Sequence, residues 1–316
     1  MDNNIINIAY CTDSNYLEHV AVSIKSIILN NLNENLRFHV FLYNVDEFDI
    51  KKFQQTSELI FIYQIEPEDF EKYNHNFSTT HITNSTFIRL MVPRLLSSRV
   101  TELLYLDADV LCFNNISSIL NIDIENYICA AAIDSKQNIQ NSNSSRLKLN
   151  SNDYFNAGVL YINIKNWMSF DVESKSNDIL SKNNDLKYAD QDALNIVLQN
   201  YIKIIDSKWN YLFTWMTNQE KETFFHDKKT LPYFIHFTGP RKMWYVEHEG
   251  LAQNLYSFYK HFTPWCDIPL KSYQSKMRSV DYRVYAKDFF RKRKFLRCIK
   301  YYTLYLIYKL RGRQKK

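Results

Sequence analysis

In the stretch "LLYLDADVLCF", residues 103–113, Asp107 and Asp109 stand one residue apart between two apolar runs. Residues i and i+2 of extended backbone project to the same side, so both carboxylates converge on one point if the strand persists through Ala108. Carboxylates that close repel one another unless a cation lies beside them. Hard oxygen ligands suit Mg2+ or Mn2+, and an added imidazole tilts the choice toward Mn2+. Ions of this kind commonly hold a diphosphate. An isolated Asp-x-Asp is often only a polar strand end capping the next turn. Here Leu103, Leu104, Tyr105 and Leu106 drive the pair to the end of a central strand, which weakens that bland reading.

The elements that must position the pair read as strands alternating with helices. "NIINIAYCTDSNY" is a β-rich run ending in a polar turn, and "LEHVAVSIKSIILNN" carries apolar residues at helical spacing. "LRFHVFLYNV" and "LIFIYQI" read as strands, and "STFIRLMVPRLL" as a helix that Pro93 bends or interrupts. After the carboxylate pair come "YICAAAID", "YFNAGVLYINIKNW", "ADQDALNIVLQN" and "PYFIHFTGPRKMW", read as strand, strand then helix, helix, and strand then turn. "NSNSSRLKLNSND", residues 141–153, reads as surface loop. The alternation predicts a parallel α/β sheet, in which ligands collect beyond the carboxyl ends of the strands. Asp13 and the Asp107/Asp109 pair both sit at such ends. Asp13 or Ser14 also suits the N-cap of the helix that starts near Tyr16.

Composition bounds the rest. The chain has 316 residues, 46% of them hydrophobic, enough for a sizeable core. Its five cysteines are odd in number and form no Cys-x-x-Cys, which argues against a disulfide framework or a zinc site. No signal-like segment opens the chain and no apolar run approaches the ~18 residues of a membrane span, so a soluble cytoplasmic protein is expected. Charge is uneven: residues 287–316 hold 12 Lys and Arg against the single Asp288, whereas the remaining 286 residues hold 27 basic and 33 acidic side chains. An acidic body speaks against a nucleic-acid binder. On a helical wheel Phe295, Ile299, Tyr302, Leu306 and Leu310 share one stripe, opposite Arg293, Arg297, Lys300 and Arg311, the pattern of an amphipathic interfacial helix or of a helix that packs its stripe on the body; the basic excess favours the first.

Taken together and in order, "LLYLDADVL", "YFNAGVLYIN", "ADQDALN" and "HFTGPRKMW" resemble glycosyltransferase family 8, and within it the bacterial lipopolysaccharide galactosyl- and glucosyltransferases. The resemblance runs over residues 5–265. It implies a GT-A fold, an α/β fold whose mostly parallel, Rossmann-like central sheet is flanked by helices. Residues 1–265 would be the catalytic domain and 266–316 a basic, aromatic, helical membrane-association region at the inner face of the cytoplasmic membrane. It also implies a UDP-glucose or UDP-galactose donor, Mn2+ or Mg2+ as cofactor, a lipid-linked oligosaccharide acceptor and an anionic membrane surface as partners, and retention at the anomeric carbon.

Residue by residue, the resemblance assigns Thr12, Asp13, Asn15 and Tyr16 to the nucleotide, with Asp13 at the uracil, Asn15 at the ribose and Tyr16 near the base. His81 and Ile82 would lie close to the nucleotide, and Arg89 would reach the donor sugar or diphosphate. Asp107, Asp109 and His236 would hold the metal, with Ala108 beside the donor. Asp134, Asn156, Asp190 and Gln191 would surround the sugar, Gln191 facing the anomeric carbon opposite the leaving group, while Asp192 serves structure. Gly239 and Lys242 would contact the diphosphate, and Gln191, Asp190 and Lys242 would form the catalytic set. The family motif usually continues Lys-Pro-Trp-His, whereas this chain reads Lys242-Met243-Trp244-Tyr245 and lacks both the Pro and the second His. Two readings compete: a family-8 glucosyltransferase with another acceptor, and a metal-dependent phosphohydrolase, which would leave the Asp13–Tyr16 loop unexplained.

Overall fold

The computed structural model describes residues 5–66, 68–69, 84–134, 137–182, 186–226 and 230–313, without the side chains of 84–86, 137–140 and 311–313. His81 and Ile82 lie outside the described residues. Contacts divide the chain into two units, Met1–Thr238 with Phe258–Asp267, and Gly239–Ser257 with Ile268–Lys316.

In the first unit the chain forms β1 (Ile6–Thr12), α1 (Leu17–Asn30), β2 (Leu36–Tyr43), α2 (Glu47–Gln54), β3 (Ile60–Ile65), α3 (Asn84–Leu96), β4 (Glu102–Leu106) and β5 (Val110–Cys112). It continues through β6 (Cys129–Ile133), α4 (Gln137–Leu147), β7 (Phe155–Asn163), α5 (Ile164–Ser169), α6 (Val172–Lys182), α7 (Ala189–Leu198), β8 (Ile202–Ile205), β9 (Tyr211–Leu212), α8 (Asn218–Glu222) and β10 (Phe234–His236). Seven strands make one sheet in the order β3-β2-β1-β4-β7-β6-β8, and β5, β10 and β9 make a small second sheet. The large sheet is mostly parallel and flanked by helices, the α/β class that the alternation predicts.

One strand breaks the parallel rule, and it shapes the site. β7 pairs antiparallel with β4 on one side and β6 on the other. β4 and β6 therefore end at the edge of the sheet where β7 begins, so Asp107, Asp134 and the start of β7 meet there. β1 is parallel to β4, which brings Thr12 and Asp13 to the same edge. β7 can occupy the middle because "FNAGVLYI" is buried throughout, the near-continuous run of a strand covered on both faces.

Three local expectations change. α3 runs unbroken through Pro93, because Leu90, Met91, Val92 and Leu96 are all fully buried and packing outweighs one lost backbone bond. The expected loop over 141–153 is helical as far as Leu147, with Asn143 and Ser144 buried. Asp13 and Ser14 do not cap α1: Tyr16 holds the cap position without a side-chain bond, and Asp13 Oδ1 accepts the Asn15 N–H at 2.9 Å.

The second unit contains the helices α10 (Ser279–Arg291) and α11 (Phe295–Arg313), and α9 (Leu251–Lys260) straddles the division. Residues 239–257 belong to this unit, in which Tyr245 stacks on Tyr273 at 4.9 Å and the Val246 N–H bonds Lys271 O. Tyr282, Tyr285 and Phe289 of α10 pack on Cys298, Tyr301, Leu304 and Tyr305 of α11. The face of α11 turned away from this packing carries Phe295, Ile299, Tyr302, Leu306 and Leu310, each 43% to 63% exposed. Among the described residues no helix is long and apolar enough to cross a membrane.

Candidate active site

β4 stops at Leu106, and the carboxylate pair converges through a turn rather than a continued strand, with the Val110 N–H bonding Asp107 O at 3.2 Å. The chain then enters β5, which pairs antiparallel with β10 so that Val110 faces His236. The Phe237 N–H bonds Asp109 O at 3.0 Å and pins the two segments together. His236 Nε2 thereby lies 3.1 Å from Asp109 Oδ1 and 4.0 Å from Asp107 Oδ2. Ligand atoms of Asp107, Asp109 and His236 all fall within 4.8 Å of one another. On the far side of the ring, His236 Nδ1 is 3.1 Å from Asn210 Oδ1. Two carboxylates and an imidazole nitrogen are a donor set suited to a hard or borderline divalent ion.

Gly158 makes room for this cluster. A Cβ at that position would stand 2.2 Å from His236 Cε1 and 2.8 Å from Asp107 Oδ2. Its carbonyl accepts the Asp107 N–H at 2.9 Å, so the β7 backbone and Asp107 are in direct contact.

Beside the cluster stands a wall of polar side chains. Arg89 on α3 donates to Asp107 Oδ1 at 2.6 Å and to Ala157 O at 3.1 Å, and its Nη1 is ion-paired with Asp190 Oδ2 at 2.9 Å. Tyr105, two residues before Asp107 and on the same side of β4, donates to the same Asp107 oxygen at 3.0 Å and lies under the guanidinium. Burial opposes the Arg89 charge, but Asp107 and Asp190 outweigh it and hold its pKa well above the ordinary value. Burial also pushes the Asp190 carboxyl up, with Arg89 pulling it back. Asp134 is likewise raised by burial and opposed by its bond from Asn156 Nδ2 at 2.7 Å. Gln191 accepts the Ala157 N–H at 3.1 Å and donates to Tyr154 Oη at 3.0 Å, which fixes its amide.

Asp192 has a structural role. Arg146 grips it with two bonds of 2.9 Å, Tyr154 donates to it at 2.6 Å, and the Lys187 and Tyr188 N–H groups complete its shell. Burial alone would raise this carboxyl; the bonds from Arg146 and Tyr154 reverse that and leave it below the ordinary range. A depressed folded value means stabilisation that is complete above the unfolded value of roughly 4 and is lost as pH falls through the folded value. Asp192→Asn should therefore cost about 3 kcal/mol at neutral pH. Its thermal melting should also fall less on acidification than that of wild type, and parallel melting curves against pH would refute the assignment.

The remaining predicted positions are placed as follows. Thr12 is buried and donates to Asp13 O at 3.1 Å, Asn15 and Tyr16 are exposed in the loop after β1, and Ala108 sits in the turn between the carboxylates. Gly239 and Lys242 belong to the second unit, where Gly239 takes a left-handed φ of 86° and Lys242 Nζ lies 5.9 Å from the Trp244 ring centroid.

The family model for glycosyl transferase family 8 matches residues 7–247. The chain belongs to this family. Among curated relatives of the family-8 chain, the lipopolysaccharide 1,2-glucosyltransferase of Escherichia coli K12 is 32% identical over 272 residues, covering 83% of this chain and 79% of the relative. The lipopolysaccharide 1,3-galactosyltransferase of Salmonella typhimurium is 29% identical over 319 residues, covering 98% and 93%. Among solved structures, the galactosyltransferase LgtC, in complex with donor and acceptor sugar analogues, superposes with a TM-score of 0.69 at 23% identity, covering 86% of this chain and all of the other, a likeness of fold.

Four residues of this family-8 site escaped the reading of the sequence. Gly158 had a signal, being one of only 4 glycines and lying inside a strand-like run. Tyr105 had one too, through the two-residue period that aligns it with Asp107. Tyr154 and Asn210 had none, since nothing local distinguishes them from other aromatic and Asn residues of the chain.

Proposed function

We propose that this family-8 glycosyltransferase moves glucose or galactose from a UDP-sugar onto a lipopolysaccharide core oligosaccharide, with retention and with Mn2+ bound by Asp107, Asp109 and His236. The observation that carries this reading is the convergence of those three ligands at the sheet edge where Asp134, Asn156, Asp190 and Gln191 also meet. Bound Mn2+ would supply Lewis acidity to the diphosphate oxygens of the donor. Lys242 adds a point charge for the leaving UDP, and Gly239 lets backbone approach phosphate closely. Thr12, Asp13, Asn15 and Tyr16 hold the nucleotide. Asp134 and Asn156 receive the sugar hydroxyls, and Arg89 holds Asp190 and Asp107 in register between sugar and ligand cluster. An amide cannot serve as the carboxylate nucleophile of a double displacement, so Gln191 favours attack by the acceptor on the same face that UDP leaves.

Purified protein with Mn2+ and a panel of UDP-sugars should release UDP with UDP-glucose or UDP-galactose, faster when lipopolysaccharide core oligosaccharide is present. Asp190→Asn should lose that turnover with its circular dichroism unchanged. Phosphate release from phosphomonoesters without any sugar acceptor would replace this reading by the phosphohydrolase.

The exposed stripe of α11, with Arg293 and Lys300 on the other exposed side of the same helical tail, supports peripheral association with an anionic membrane that holds the acceptor. Each basic residue near such a surface contributes about 1 kcal/mol. Replacing Ile299, Leu306 and Leu310 together by Ser, all outside the packed face, should abolish sedimentation with anionic vesicles at low salt and spare transfer to a soluble acceptor. Equal sedimentation of the two proteins would refute the anchor.

A further inference from the structure

An imidazole binds a cation through either nitrogen, and the hydrogen bond made by the other nitrogen decides which. At His236 two neighbours compete for the ring proton. Asp109 Oδ1, 3.1 Å from Nε2, favours a proton there, and Asn210 Oδ1, 3.1 Å from Nδ1, favours a proton on the other side.

The polarity of the Asn210 amide is set at a distance. Asn156 Oδ1 accepts the Gly158 N–H at 3.0 Å, and a backbone N–H can only donate, so the atom of Asn156 at that point is oxygen. Its nitrogen then faces Asp134 Oδ1 at 2.7 Å. The same Asn156 oxygen receives Asn210 Nδ2 at 2.8 Å, which turns Asn210 Oδ1 toward the imidazole. An acceptor there requires a proton on His236 Nδ1 and leaves the Nε2 lone pair facing Asp109 and Asp107. Asn210 is fully buried, so no water competes for these bonds.

We infer that Asn210, oriented by Asn156, is a positioning residue that sets the tautomer of His236, so that Nε2 is the nitrogen offered to a divalent cation, and that the same amide relay ties this ligand to the Asp134 carboxylate. The inference rests on the metal-binding part of the proposed function.

Mn2+ alone is the probe, with free ion followed by electron paramagnetic resonance and folding by thermal melting without metal. Wild-type protein that binds no Mn2+ would end the metal reading itself. With wild type binding, Asn210→Leu should weaken Mn2+ affinity about 10- to 100-fold, the usual effect of losing an outer partner of a ligating His. Asn210→Asp, which still offers Nδ1–H an oxygen but sets its second oxygen against Asn156 Oδ1, should lose less Mn2+ affinity than Asn210→Leu. Equal affinity in Asn210→Leu overturns the inference, as does an equal loss in a well-folded Asn210→Asp. A second readout needs no variant of Asn210: long-range 1H–15N spectra of metal-free wild type, labelled at histidine and recorded where imidazole is neutral, should show the His236 proton on Nδ1. The His236 signals are identified by their loss in His236→Gln. A proton on Nε2 would overturn the inference whether or not the Leu variant folds.

Discussion

Gly158→Ala protein is expected to bind Mn2+ poorly and to transfer sugar at least about 100-fold more slowly than wild type, the scale of loss that follows a ligand displaced by about 1 Å. The added methyl would stand 2.2 Å from the His236 ring and 2.8 Å from Asp107, and neither neighbour can yield freely. His236 is held by Asn210 behind it, and Asp107 is held by Arg89 and Tyr105 on its other oxygen. Relief must come from separating β7 from β10 or from turning a ligand away. Overpacking of this kind costs about 1–3 kcal/mol, so the variant should fold with a lowered melting temperature. Folding with an unchanged turnover rate would show that the cluster is not where the reaction is assembled.

Asp109→Ala should lose about 3–4 kcal/mol of transition-state stabilisation, a ~100- to 1000-fold drop in rate, as when a preorganised electrostatic group is removed. Asp109 is only 7% exposed and lies against His236 Nε2, so water replaces its charge poorly. In wild type, chelation with EDTA should abolish transfer and added Mn2+ should restore it. The variant should respond weakly to either. Full activity of Asp109→Ala in the presence of chelator would remove metal from the reaction.

Read alone, the sequence determines the class of fold and the existence of a site. Alternating apolar and amphipathic segments are local records of burial, and they sufficed for an α/β sheet with charged residues at the strand ends. The run before Asp107 and the four ordered blocks pointed to the family and to the Asp107, Asp109 and His236 cluster. What periodicity does not carry is which distant segments meet. "YFNAGVLYIN" reads as a strand in either direction, and only its pairing with β4 and β6 reveals that it runs antiparallel and brings Asn156 and Gly158 to the site. "NSNSSRL" is polar and reads as loop, yet it is helical, with Asn143 and Ser144 buried and Arg146 paired with Asp192, 46 residues away. α11 offers two apolar stripes on a wheel, and the partner helix decides which is covered: α10 takes Tyr301 and Tyr305, leaving Ile299 and Leu306 exposed. Asn210 is one of many Asn in the chain and gains its role only from Asn156, 54 residues earlier, and His236, 26 residues later. Local pattern reflects whether a side chain is buried, whereas the amide and carboxylate it bonds once buried depend on the closure of the whole sheet.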